Sequence, residues 1–263
     1  MAHVTLSAVS AEPAMPFLPA EVTPVFATIL VASSFLTSAL TAALGLGGGV
    51  AMLAILGLGL PVTSVLPVHG VVQMGSNSGR VVIQRQYLVG PILLWFALGS
   101  AVGIALGASV VVTIPDTLAK LALALFILWT VYRKKPATAA ERHGKTYFVL
   151  GGAISSFCTM LVGATGPLVA ALLARTGLIK QPLVATHAAC MVIQHGMKIL
   201  VFGTLGFAYA QWAPLIAVMI ISGIAGTWVG TRTLDNLPEA TFRLGFKIVM
   251  TAVSLHMIWQ ALR

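Results

Sequence analysis

The sequence is short of charge, and of acids most of all. Only 8% of its 263 residues are Asp, Glu, Lys or Arg, against about 25% in an ordinary soluble domain. No charge occurs between Glu21 and Arg80, between Arg85 and Asp116, or between Lys145 and Arg175, and Lys198 alone interrupts the interval from Lys180 to Arg232. With 58% apolar residues overall, such intervals exclude a water-soluble globule, because roughly 20 apolar residues already span a bilayer as a helix. Lipid tolerates only helices or a closed barrel. The apolar runs are continuous rather than alternating, which excludes the barrel. Two cysteines, Cys158 and Cys190, are too few for a disulfide framework. Both read as small buried hydrophobes, with contact between Cys190 and a ligand left open. No P-loop, no His-Glu-x-x-His and no Ser-His-Asp set is present, so no enzyme, cofactor, catalytic residue or metal site is expected.

What is there is a series of apolar runs bounded by Gly, Pro and charge. They cover residues 22–60 (interrupted by Gly45, Gly47, Gly48 and Gly49), 61–83, 91–112 and 118–132. A basic linker follows, and the pattern resumes at 147–174 (broken at Gly163 to Pro167), 183–203, 209–230 and 238–262. A shift of 118 residues lays Gly163 on Gly45, Gly166 on Gly48, His187 on His69, His195 on Asn77 and Lys198 on Arg80. At a shift of 123, Gly226 falls on Gly103, Gly230 on Gly107 and Pro238 on Pro115. The chain therefore reads as a polytopic all-α membrane protein of two repeats, 22–132 and 147–263, each with a Gly-broken helix.

The net charge of +9 points to cytoplasmic loops rather than to nucleic acid, since Lys and Arg collect on the cytoplasmic side. Residues 133–146, with Arg133, Lys134, Lys135, Arg142 and Lys145, are the densest basic stretch and are expected inside. Arg85, the Arg175 to Lys180 loop and Arg232 are the other basic connections. The tail 1–21 carries Glu12 and Glu21 and no basic n-region, so it is expected outside and not as a signal peptide. Opposite locations for tail and linker give each half an odd number of crossings, which inverts one repeat relative to the other. Inverted repeats are a recurring transporter architecture with the site near the midplane.

Polar residues inside spans are costly and by default mark function. His69, Gln73, Asn77 and Arg80 share one helical face, and His187, Met191, His195 and Lys198 repeat the spacing, with Gln194 beside them. Arg80, late in its helix, has the alternative of snorkelling to the surface. All six acids (Glu12, Glu21, Asp116, Glu141, Asp235, Glu239) fall in tails, turns or the linker. No carboxylate in the spans can neutralise Arg80 or Lys198, and a buried cation without a partner is expensive. A diffusible oxyanion held by Arg80, Lys198, His69, His187, His195, Gln73, Asn77 and Gln194 resolves that cost. The breaks at Gly47, Gly48 and Gly49 and at Thr165 and Gly166 would start short helices inside the membrane. Thr165 is placed as N-cap and Pro167 in the first turn, with positive helix ends facing the cavity. Close helix packing is the competing reading of these glycines. Proton coupling, if present, would fall to His69, His187 and His195.

The glycine cluster 45–49 after a first apolar helix, the next helix with Asn77 near its polar end, and the weaker second copy resemble the sulfite exporter TauE/SafE family over about residues 22–263. The resemblance implies a bacterial inner-membrane permease for sulfur-containing or organic anions such as sulfite, thiosulfate or sulfoacetate. The resulting expectation is a secondary carrier, an exporter working by alternating access of one half rocking against the other, with a passive anion channel as alternative. Its partners would be a small anion and the lipid bilayer, with homo-oligomerisation left open.

Overall fold

The computed structural model describes residues 17–44, 47–132, 143–178, 181–233 and 239–263. Residues 1–16, Gly45, Lys180, Pro238 and linker residues 133–142 lie outside the described residues, and with them the expected placements of the tail and linker. Among the described residues ten α-helices form: α1 (Pro24–Leu44), α2 (Gly48–Gly59), α3 (Val62–Ile83), α4 (Gly90–Val111), α5 (Asp116–Tyr132), α6 (Lys145–Val162), α7 (Gly166–Ala174), α8 (Gln181–Thr204), α9 (Tyr209–Thr233) and α10 (Glu239–Leu262). No strand occurs among the described residues. Helices α1, α4, α6, α8 and α9 are long and apolar enough to cross a bilayer. At 12 and 9 residues, α2 and α7 reach only about 18 and 14 Å and cannot span a core about 30 Å thick.

Both breaks need glycine. Gly47, preceding α2, has φ 106°, and Gly163, ending α6, has φ 81°, a region that L side chains rarely enter. Pro167 stands in the first turn of α7, where its missing N–H costs nothing. Thr165 takes the expected place before α7. It occupies the N-cap position without a side-chain cap bond, because its hydroxyl donates instead to Gln194 Oε1 at 3.1 Å.

The helices pair in a way that exchanges the two halves. The most extensive interfaces are α4 with α6 and α1 with α9, and each is the other's counterpart when α1–α5 are laid on α6–α10. Both are glycine seams. A Cβ on Gly99 or Gly103 would strike the carbonyl of Val149 or Ala153, and one on Gly152 that of Phe96. On the other seam, Gly226 and Gly230 lie against the carbonyls of Phe35 and Ala39. Small residues let backbones approach this closely, and in lipid that contact is the main source of helix association. Hydroxyls add to it: Ser34 Oγ donates to Met219 O at 2.6 Å and Ser222 Oγ to Val31 O at 2.8 Å.

Helices α3 and α8 cross at the centre and run antiparallel. Val62 and Thr63, starting α3, share a cavity wall with Phe202, near the end of α8, and Leu205, just beyond it. At the other end Val89 N donates to Thr186 Oγ1 at 3.3 Å. Corresponding helices of opposite direction are what inverted copies produce. The outward faces are apolar, with Leu98, Val102 and Leu106 of α4 and Ile221, Ile224 and Trp228 of α9 all exposed. The interior carries the polarity: His69, Asn77, Arg80, His187, Gln194, His195 and Lys198 are all buried. This inside-out distribution suits a lipid surround.

Candidate functional site

Both glycine breaks and both polar helix faces meet around one small pocket. Its wall includes Gly47, Gly49, His69, Gln73, Asn77 and Arg80 from the first half, with Gly166, His187, Met191 and His195 from the second. The volume is about 40 Å³. One water needs roughly 10–15 Å³ on that scale, so about three waters fit.

Arg80 lies in this wall at 8% exposure, which decides against snorkelling to the surface. Its Nε is buried without a hydrogen-bond partner. The acids are elsewhere: Glu21 accepts from Ser64 Oγ at 2.7 Å, and Asp116 pairs with Lys120 at 3.0 Å. Asn77 Nδ2 turns back to Gln73 O at 2.7 Å, so one of its two N–H groups is spent within α3.

The two histidines aligned by the repeat do the same thing. His69 Nε2 donates to Gly49 O at 2.9 Å, and His187 Nε2 to Gly166 O at 3.0 Å. A carbonyl only accepts, so Nε2 carries the hydrogen in both rings. Each histidine ties the start of a short helix to the polar helix following it. His195 stands edge-on to His69 with ring centroids 5.6 Å apart.

Four expected site residues lie outside the wall. Lys198, fully buried, donates from Nζ to Gly163 O at 3.2 Å, an oxygen that also accepts from Thr159 Oγ1 at 3.0 Å. The end of α6 presents its unpaired carbonyls and negative dipole end there, so backbone rather than a carboxylate satisfies the ammonium. Gln194 and Thr165 form a polar bracket behind the wall, with Gln194 Nε2 donating at 2.9 Å to both Ser155 and Ser156. Gly48 packs under Thr37 and Thr41 of α1. Cys190 also misses the cavity and packs with Phe96, Val169 and Met191. Thr41, Ala164 and Pro167 line the wall without having been expected as contacts.

The two breaks respond differently to a methyl group. A Cβ on Gly48 would run into Thr37 O, whereas one on Gly166 finds its nearest neighbours at 3.5 Å or more. Gly48→Ala is therefore expected to lower the yield of monodisperse protein sharply. Gly166→Ala should fold normally but bind anions more weakly, because it fills a wall position. Size-exclusion profiles and anion-dependent melting of the two variants check this, and equal behaviour would refute the asymmetry.

A family model described as sulfite exporter TauE/SafE matches residues 30–257. No curated protein and no solved structure matches the chain.

Proposed function

Since the chain belongs to the sulfite exporter TauE/SafE family, a family of membrane transporters, we propose that it is a secondary carrier exporting a small inorganic oxyanion, sulfite first among them, across the bacterial inner membrane. The observation that carries this reading is Arg80. It is a buried side chain with an unpartnered Nε, in a pocket lined by both halves. Such a cation is costly until something anionic joins it. Helix α2 starts at the same cavity with no side chain capping it, so its first-turn amides and positive dipole end favour the same guest. Space for about three waters supports a four-atom anion such as sulfite over a longer organosulfonate.

Lys198 enters this reading from behind the wall. Its ammonium adds positive potential to a cavity lined by His195 of the same helix, and two unit charges at an effective dielectric near 20 interact by about 4 kcal/mol at contact, falling with distance. Lys198→Met should therefore weaken anion binding by about tenfold or somewhat more. Alternating access by one half rocking against the other fits the packing poorly, because the tightest seams join helices of different halves. The moving bodies we propose are α1 with α9 and α4 with α6, pivoting around the α3–α8 crossing.

Proteoliposomes test the function. Saturable sulfite flux accelerated by sulfite on the opposite side is the expected result. Flux without saturation or acceleration would make the protein a channel, and none for any small anion would remove the assignment. The orientation has its own test in a variant lacking Cys158 and Cys190. Thr138→Cys should resist an impermeant thiol reagent added to intact cells, and Ser7→Cys should react. Labelling at position 138 would overturn the inside linker.

A further inference from the structure

We infer that the central site takes its anion together with one proton, as the hydrogen-bearing monoanion, whose O–H donates to Nδ1 of His69. This rests on the anion reading above and narrows it to a protonation state.

The hydrogen bonds around the cavity carry the inference. His69 Nε2 gives its hydrogen to Gly49 O, which leaves Nδ1 of the neutral ring with a lone pair. That nitrogen is buried and has no partner. His187 repeats the arrangement through Gly166 O, so each half presents one imidazole with its acceptor side unused by the backbone tie. His195 Nδ1 is also buried and unpartnered. The wall thus combines an unpartnered guanidinium nitrogen with unpartnered ring nitrogens. A fully deprotonated dianion satisfies Arg80 but sets its lone pairs against those of His69. An anion keeping one hydrogen satisfies both at once, and leaving either buried group bare carries its full desolvation cost.

The other ionisable groups around His69 are Arg80 on its own helix and His187, His195 and Lys198 on α8. Helices α2, α4 and α7 carry none. On α5, Asp116 and Lys120 pair with each other. Of the groups on α6, Lys145 sits over the Trp95 ring at 4.8 Å, Tyr147 Oη donates to Leu172 O, and Cys158 is a half-buried thiol. On α9, Tyr209 Oη donates to Ile199 O. No described acid faces His69 to supply the proton or to compete for it.

The test is calorimetric titration of the purified full-length protein with sulfite between about pH 6 and about pH 9. Sulfite interconverts with hydrogen sulfite near neutrality. Affinity for total sulfite should be flat at the acid end and then fall about tenfold per pH unit. Titrations in two buffers of different ionisation enthalpy should show uptake of about one proton per anion on the falling limb. Sulfate, whose protonated form is absent in this range, should not bind. Flat affinity without proton uptake would overturn the inference and leave the anion reading intact, whereas no sulfite binding at any pH would sink both. Sulfate bound with equal proton uptake would place the proton on the ring and overturn its assignment to the guest. His69→Phe should bind more weakly at the acid end and lose the slope. The wild-type curve decides the matter even if that variant does not fold.

Discussion

Arg80→Met is expected to make the protein more stable and to abolish anion binding. The residue is 8% exposed, Nε has no partner, and no described carboxylate faces it. Replacing a poorly compensated buried charge by an apolar residue of similar volume is often neutral or stabilising by about 1–4 kcal/mol. Removing one partner of a buried charge–anion contact costs about 2–5 kcal/mol of affinity, a loss of roughly 30-fold to several thousand-fold. The two effects have opposite signs, and that opposition separates a binding residue from a structural one. Thermal melting with and without sulfite reads both. The variant should melt higher than wild type without anion and should not respond to it. A lower melting temperature with the sulfite response retained would show that Arg80 braces the fold and does not hold the guest.

The second large effect belongs to the seams. Gly103→Leu or Gly226→Leu should prevent recovery of folded protein, because even the first carbon of the new side chain coincides with the carbonyl of Ala153 or Phe35. Overpacking ordinarily costs about 1–3 kcal/mol, and here the obstacle is backbone in a second helix, which cannot rotate away. Gly79→Ala is the control. It sits inside α3 with nothing within 4 Å of an added Cβ, and alanine in a helix gains about 1 kcal/mol over glycine. Detergent size-exclusion profiles distinguish the variants. A sharp peak and wild-type melting for Gly103→Leu would mean that α4 and α6 do not meet as described.

Much of this architecture was legible in the sequence, for a physical reason. A helix in lipid must be apolar almost throughout, so charge and Gly/Pro punctuation mark its ends directly. Residues 61–83 were expected as one run and form Val62–Ile83, and 209–230 became Tyr209–Thr233. The polar faces of α3 and α8 were legible because buried polarity stands out against such a background. What the pattern could not separate was the partner of each polar atom. Arg80 and Lys198 occupy matching positions, yet one faces the cavity and the other takes the Gly163 carbonyl, a distinction that depends on where α6 ends in space. Thr165 stands at the N-cap position that the sequence indicates, but the sequence does not show that a glutamine from another helix claims its hydroxyl. Thr41 carried no signal, because α1 also holds Thr28, Thr37, Ser33, Ser34 and Ser38, and no pattern among these hydroxyls marks one for the cavity.

The seams also bear on how the protein is made. Helix α1 closes its largest interface with α9, whose first residue is synthesised about 185 positions after Pro24, and α4 waits for α6. Until then each early helix stands in lipid with a groove designed for a helix not yet inserted. Assembly is thus a late step following insertion. The first half released alone would be an orphan, a natural substrate for membrane quality control. A chain cut in the linker and expressed as two fragments should be rescued only when both fragments share one membrane.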